Sequence, residues 1–372
     1  MRKKIGAIWK IALLGGLTLA ACAKADDTSR STAAITPIAQ AAAVAITPTP
    51  GPAATKDPLT VANTLYYLGN LDQAIESYTE VIANEPENAV AYNNRGNAYR
   101  DKGELEQAIL DYNQAIDLNP NYAEAHNNRG RAYQAQGNLE QAMADYDTAI
   151  GLNPNYAQAY LDRGLAYREQ NQLEQALADY NRAIQLDPHL PAAYYNRGQL
   201  YADAGRLDQA INDYSQAIAR QTDFAAAYNN RGLAYQSLGQ LELAIQDFDA
   251  ALEVDPRYAK AYVNRGLARL SQGEFELAIA DLNEAIGFDP QDVTAYNNRG
   301  LAYASQGDYE AAIADFSQAI ALDPTFAGPY FNRGLAYEKL GRTAEAIADY
   351  QRVLVLSDDP ALRQRAEDKL NE

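Results

Sequence analysis

The chain has 372 residues, with 31 basic against 49 acidic side chains, a formal net charge of −18, two histidines and one cysteine. A protein this anionic is repelled by nucleic acid and by acidic lipid headgroups, so neither is expected as a partner through surface charge. One cysteine and two distant histidines, His126 and His189, supply neither a disulfide framework nor a metal site.

The first 21 residues are basic at Arg2, Lys3, Lys4 and Lys10, then apolar through Ile11–Leu19. That run is too short to span a bilayer comfortably and reads as a signal peptide rather than an anchor helix. It ends in Leu19-Ala20-Ala21-Cys22, which resembles the lipobox of bacterial lipoproteins. In that family the chain is cut between the residues matching Ala21 and Cys22, and the cysteine thiol receives a diacylglyceryl group. The alternative is an ordinary secretory signal cut at an Ala-rich site, with Cys22 incidental. A lone thiol in an exported chain needs a role, and lipidation provides one. Ala23 follows the cysteine rather than Asp; the same resemblance then implies the outer membrane, facing the periplasm, in a cell that has one. Cleavage would remove four positive charges and no acidic ones, leaving 27 basic against 49 acidic residues and a net charge of −22. Attachment would then depend on acyl chains, of which one alone holds a protein only marginally. Residues 22–54 are rich in Ala, Thr and Pro and carry no aromatic side chain, so they cannot build a core. They read as a disordered tether spanning roughly 30 Å, and a short helix around Ala39–Ala45 would not alter that role.

From Thr55 the chain changes character. Ala89 to Tyr122 reappears, shifted by 34 residues, at Ala123 to Tyr156, and again from Ala157, Pro191, Ala225, Ala259, Val293 and Ala327, with a looser copy over Thr55–Asn88. Nine such units account for residues 55–360, and a fixed period in this range predicts a repeat array. In the unit at Ala89, Tyr92, Gly96 and Tyr99 share one face of a first helix, and Gly103 follows where a left-handed residue is wanted. Asn171 takes that place in the unit at Ala157; Asn tolerates that conformation next best. A second helix carries Leu105, Ala108, Tyr112, Ala115 and Leu118 before Pro120 ends it. Residues Tyr92, Gly96, Tyr99, Ala108, Tyr112, Ala115 and Pro120 together resemble the tetratricopeptide repeat. The resemblance implies an all-α protein, a right-handed α-solenoid of nine helix hairpins. Departures are local: Thr222 for the terminal proline, Arg269 and Leu282 for aromatics, and Ala62 for the glycine. Residues 361–372 place Leu362, Ala366 and Leu370 on one stripe, which fits a helix capping the open end.

Two polar columns recur. Arg95, Arg129, Arg163, Arg197, Arg231, Arg265, Arg299 and Arg333 are each followed sixteen residues later by Asp111, Asp145, Asp179, Asp213, Asp247, Asp281, Asp315 and Asp349. The first unit has Val61 and Ser77 instead, so both partners are missing together. Joint presence and joint absence argue for structural salt bridges between the two helices of a unit; a ladder of arginines for a ligand is the rival reading. The second column is Asn94, Asn128, Asp162, Asn196, Asn230, Asn264, Asn298 and Asn332. Asn is a mediocre helix former, and its recurrence resembles the asparagine ladder that grips peptide main chain in the repeat domain of the serine/threonine N-acetylglucosaminyltransferases. An amide donates and accepts at once, so it matches a backbone unit without reading a side chain; shared duplication history is the alternative. Beside the later amides stand Leu233, Leu267, Leu301 and Leu335, with Val263 and Phe331 flanking them, an expected apolar strip for an extended or amphipathic segment.

The lysine pairs that clamp C-terminal carboxylates in chaperone-binding members of the family are missing from these columns. No phosphate-cradling loop stands out, since Gly96 and Gly103 belong to the repeat pattern. Catalysis, cofactors and small-molecule substrates are therefore not expected. Two functions remain open: a membrane-anchored scaffold binding extended segments of partner proteins, in envelope assembly, or a spacer or self-associating solenoid without a groove ligand.

Overall fold

The computed structural model describes residues 57–372. The signal segment 1–21, the Ala21–Cys22 cleavage and lipidation site and the tether 22–54 lie outside the described residues. Among the described residues there are nineteen α-helices and no strand, so the all-α expectation holds. The chain divides into two compact units at Leu200 and Tyr201.

The first unit contains α1 (Pro58–Tyr67), α2 (Leu71–Asn84), α3 (Ala89–Asp101), α4 (Leu105–Leu118), α5 (Ala123–Ala135), α6 (Leu139–Leu152), α7 (Ala157–Glu169), α8 (Leu173–Leu186) and the start of α9 (Pro191–Asp203). Each of the pairs α1–α2, α3–α4, α5–α6 and α7–α8 packs as a hairpin, and α2, α4 and α6 also pack on the first helix that follows. Consecutive first helices touch as well, α1 with α3, α3 with α5 and α5 with α7, so first helices share one wall.

In the second unit, α10 (Leu207–Arg220) precedes the hairpins α11 (Ala225–Ser237)–α12 (Leu241–Val254), α13 (Ala259–Gln272)–α14 (Phe275–Phe288), α15 (Val293–Gln306)–α16 (Tyr309–Leu322) and α17 (Ala327–Lys339)–α18 (Thr343–Leu356). The first helices α11, α13, α15 and α17 again meet in succession. The last helix, α19 (Pro360–Asn371), packs on α18. It begins at Pro360, one residue before the expected boundary, because Asp359 caps it by accepting from the Ala361 N–H and proline suits the first turn. Ala366 is fully buried against Tyr330, Phe331, Tyr350 and Val353, with Leu362 and Leu370 beside it. Arg363 reaches back to the carbonyls of Leu354 and Ser357, satisfying acceptors that the end of α18 leaves open.

Glycine has two distinct uses. Between the helices of each hairpin, Gly69, Gly103, Gly137, Gly205, Gly239, Gly273, Gly307 and Gly341 have positive φ, and Asn171 stands in for glycine at φ 58. Within the first helices, a glycine admits the aromatic ring of the second helix. A Cβ at Gly96 would lie 2.7 Å from the Tyr112 ring. Tyr112 is completely buried, and burial pushes its hydroxyl up to about 12; that hydroxyl donates to Asn97 Oδ1 at 2.8 Å.

Candidate functional site

The arginine column builds joints. Arg95 donates to Asp111 through Nε (2.8 Å) and Nη2 (2.7 Å), the paired geometry that makes guanidinium–carboxylate contacts strong. The same two-bond contact forms in Arg129–Asp145, Arg163–Asp179, Arg231–Asp247, Arg265–Asp281, Arg299–Asp315 and Arg333–Asp349. The third nitrogen, Nη1, turns to the preceding second helix. It meets Thr79, Asn113, Asp147 and Asn181 from Arg95, Arg129, Arg163 and Arg197, and Ser215, Asp249, Asn283 and Ser317 from Arg231, Arg265, Arg299 and Arg333. Except at Arg129, where His126 stands three residues before, each guanidinium also lies near the tyrosine ring at that place, as with Arg231 5.7 Å from Tyr228 and Arg299 5.5 Å from Tyr296. One side chain thus joins three elements, and the back-reaching contact was legible in advance: the residues sixteen before each Arg are all Thr, Asn, Asp or Ser.

His126, which replaces the aromatic at its helix start, is buried between Asp145 (3.4 Å) and the Pro120 carbonyl (3.2 Å). Burial alone would raise the Asp145 carboxyl, but hydrogen bonds from Arg129 and His126 outweigh it and hold the group below its usual range.

The amide column lies between consecutive first helices. Asn128 Nδ2 donates to Asn93 Oδ1 at 3.0 Å, Asn264 to Asn229 at 2.9 Å and Asn332 to Asn297 at 3.0 Å. In each, the partner is the neighbouring amide of the previous hairpin, thirty-five residues back. Asn94 has Leu59 at that place and donates instead to Asn63, one turn on, at 3.0 Å. At Asp162 the direction reverses, because a carboxylate only accepts: Asn127 donates to it at 2.8 Å and Gln158 at 2.8 Å. Asn196 turns back to its own helix at the Ala192 carbonyl. Asn298 has Val263 thirty-five residues back in the sequence, and its Nδ2 is buried without a partner. The buried amides Asn93, Asn127, Asn229 and Asn297 were missed by sequence reading, although the repeated Asn-Asn dipeptide was their signal. Changing Asn229 to Val should orphan the Asn264 donor and cost about 1–3 kcal/mol in chemical denaturation.

The donors of the described inter-hairpin amides are therefore shared with the joints between hairpins. The side chains Asn94, Asn128, Asn264 and Asn332 remain half-buried rather than enclosed. An amide has four hydrogen-bonding positions, so one donated bond leaves capacity for a ligand. The apolar row is narrower than its sequence suggests. Leu301, Val263 and Phe331 are buried, and Leu267 and Leu335 pack against the cluster around Leu270, Leu301 and Phe316. Leu233 packs beside Phe248 and Ala268. Short repeat helices need these leucines to knit one hairpin to the next, which removes Leu301, Val263 and Phe331 from solvent and leaves Leu233, Leu267 and Leu335 half-buried.

No helix of the described residues is long and apolar enough to cross a membrane, and no cluster of three metal-type ligands occurs among them. The family model described as TPR repeat matches residues 62–99, 96–137, 164–205, 198–239, 266–307 and 300–341. The tetratricopeptide repeat model matches 123–156, 225–258 and 327–359. The chain is a tetratricopeptide repeat protein. As such it is a protein-interaction scaffold. Among solved structures it is similar to a tetratricopeptide repeat protein from Parabacteroides merdae ATCC 43184, at 22% identity and TM-score 0.53 over 67% of this chain and 99% of that one. It is also similar to the APC/C hetero-tetramer Cut9–Hcn1, at 17% identity and TM-score 0.56 over 81% of this chain and 58% of that one. PilW, a type IV pilus biogenesis factor, aligns at 22% identity and TM-score 0.52 over 56% of this chain and 97% of that one. At these identities the likeness concerns the fold alone. No curated protein matches the chain in sequence.

Proposed function

We propose that this tetratricopeptide repeat protein is a lipid-anchored scaffold of a bacterial envelope, held by acyl chains on Cys22, whose first-helix wall binds extended segments of partner proteins. The observation that carries the reading is the row of half-buried amides along successive first helices, each retaining hydrogen-bonding positions after its bond to the neighbouring hairpin. Spaced amides that donate and accept suit a main chain of any sequence. Envelope assembly is the setting that an exported, lipidated scaffold would serve, at an outer membrane facing the periplasm where one exists.

A second reading has its own support. Because those donors already bind neighbouring hairpins and Leu301, Val263 and Phe331 are buried, the wall also suits a spacer that binds nothing along it. The two separate on an array of unstructured peptides probed with the protein and with a variant changing Asn264 and Asn332 to Ala. The scaffold reading expects a folded variant, by circular dichroism, that loses at least ten-fold in peptide affinity. Unchanged binding by a folded variant, or no binding by the wild-type protein, leaves the spacer. For the anchor, Cys22→Ser should abolish fatty-acid labelling and release the protein from membranes; labelling that persists refutes it.

A further inference from the structure

The capping helix keeps the repeat register. Arg365 on α19 stands thirty-four residues after Phe331, which stands thirty-four after Asn297. That column supplies the amides that accept across neighbouring first helices, as Asn297 does from Asn332. In register, α19 takes the place of a tenth first helix, and it touches α17 at two points. Arg365 lies over the Phe331 ring, 4.4 Å from its centroid, and Lys369 Nζ reaches Glu338 at 3.4 Å. Phe331 is buried, so the ring under the guanidinium is a fixed platform beside Asn332, the last amide of the row.

Arg365 differs from the other cations of α19. Arg363 donates to the carbonyls of Leu354 and Ser357, and Lys369 pairs with Glu338 and Glu372. Arg365 is half-buried, and among the described residues it has no hydrogen-bond acceptor and no ion pair. Burial pulls its guanidinium below the usual arginine range, and Asp359 alone pushes the other way. That carboxylate is engaged in capping α19 at the Ala361 N–H. A cap needs no such charge, because Leu362, Ala366 and Leu370 already supply its packing. A half-buried cation without a counter-ion is costly, and this chain has carboxylates in excess, 49 acidic against 31 basic residues. The five donors of a guanidinium form a planar fork that matches a carboxylate two bonds at a time.

We infer that Arg365 is a register anchor: it takes the side-chain carboxylate of an Asp or Glu in the extended segment that the first-helix wall binds. The inference rests on the scaffold reading and adds what an amide row cannot supply. Amides that meet main chain admit any sequence in any register, whereas one cation at the end of the row fixes where a segment stops. The anionic surface elsewhere repels an acidic side chain and leaves this end as its place. Packed helices stand about 8–10 Å apart and an extended chain rises about 3.3 Å per residue. The carboxylate therefore belongs about three residues beyond the peptide unit at Asn332.

Fluorescence anisotropy on the full chain tests it. The probes are peptides of one neutral, unstructured sequence carrying a single Asp, or Asn in its place, at each position in turn, all with amidated C-termini. The anchor expects the Asp peptide to bind roughly ten-fold more tightly than its Asn twin at one register. Arg365→Gln, shown to be folded by circular dichroism, should bind the twins alike, and Arg365→Glu should prefer Lys at that register. Arg352→Gln, which removes an exposed arginine of α18, should keep the preference for Asp. Equal binding of the twins by the wild-type chain overturns the inference and leaves the scaffold reading standing. A preference that survives Arg365→Gln, or that Arg352→Gln abolishes as well, also overturns it. A neutral peptide with a free C-terminus that matches the Asp peptide, and loses its affinity in Arg365→Gln, would assign the site to a terminal carboxylate and overturn it too. Binding of no peptide at all removes the scaffold reading and the inference together.

Discussion

Changing Asp247 to Ala is expected to lower the stability of the second unit by about 2–3 kcal/mol, toward the lower end of what breaking a buried ion pair costs. Asp247 is 5% exposed and accepts from Arg231 Nε at 2.8 Å and Nη2 at 2.6 Å. Without the carboxylate, the guanidinium keeps only the Ser215 hydroxyl at 2.9 Å and the Tyr228 ring at 5.7 Å. An exposed pair would give 0–1 kcal/mol instead, so the size of the loss decides how shielded the joint is. The Arg231 side chain is 19% exposed, which lets water reach part of the stranded charge and keeps the cost below that of a fully buried pair. Removing both partners, as Arg231→Met with Asp247→Leu, should recover most of the loss, since no uncompensated charge remains. Urea unfolding followed by circular dichroism measures both; stability unchanged by Asp247→Ala would return the arginines to the ligand-ladder reading. Peptide binding should not follow these changes.

Much of the fold was readable because a repeat states each instruction several times over. The loop glycines, the terminal prolines and the small residue opposite each ring recur at fixed spacing, and the one exception among the loop glycines, Asn171, obeys the same backbone requirement at φ 58. The contacts within a hairpin were legible for a related reason: Val61 and Ser77 change together. What the pattern concealed were contacts between hairpins. Asn94 and Asn128 look equivalent in sequence, yet Asn128 meets Asn93 whereas Asn94 must use Asn63. Which partner an amide finds depends on the residue thirty-five positions earlier, and that residue varies among Asn, Leu, Tyr and Val. Leu301, in the leucine row, was misjudged as free surface for the same cause. Spacing assigns Leu301 to a helix face, but only the distance between neighbouring first helices decides that this face is closed. Periodicity specifies the unit, whereas exposure is a property of the stack.

A paired test of the tightest approach in the hairpin should give opposite outcomes at two glycines that look alike in sequence. At Gly232 a new Cβ would lie 2.7 Å from the Phe248 ring and 3.1 Å from the Ala244 carbonyl oxygen, and Phe248 is completely buried. The ring has nowhere to move, so the helices must separate, at about 1–3 kcal/mol. Alanine returns up to about 1 kcal/mol through helix propensity, which leaves Gly232→Ala destabilising overall. At Gly266 the facing residue is Leu282, whose Cγ would be 3.0 Å from the new atom, with the Ala278 carbonyl oxygen at 3.3 Å. A leucine can give a few tenths of an ångström by a small rotation where a wedged ring cannot. The propensity gain then offsets the residual crowding, and Gly266→Ala should lie within about 0.5 kcal/mol of the wild-type protein. Thermal and urea unfolding of the two variants side by side checks the contrast. Equal losses would mean that the crowding comes from the second-helix backbone rather than from the ring, and would move the origin of the hairpin's close approach from Phe248 to Ala244 and Ala278.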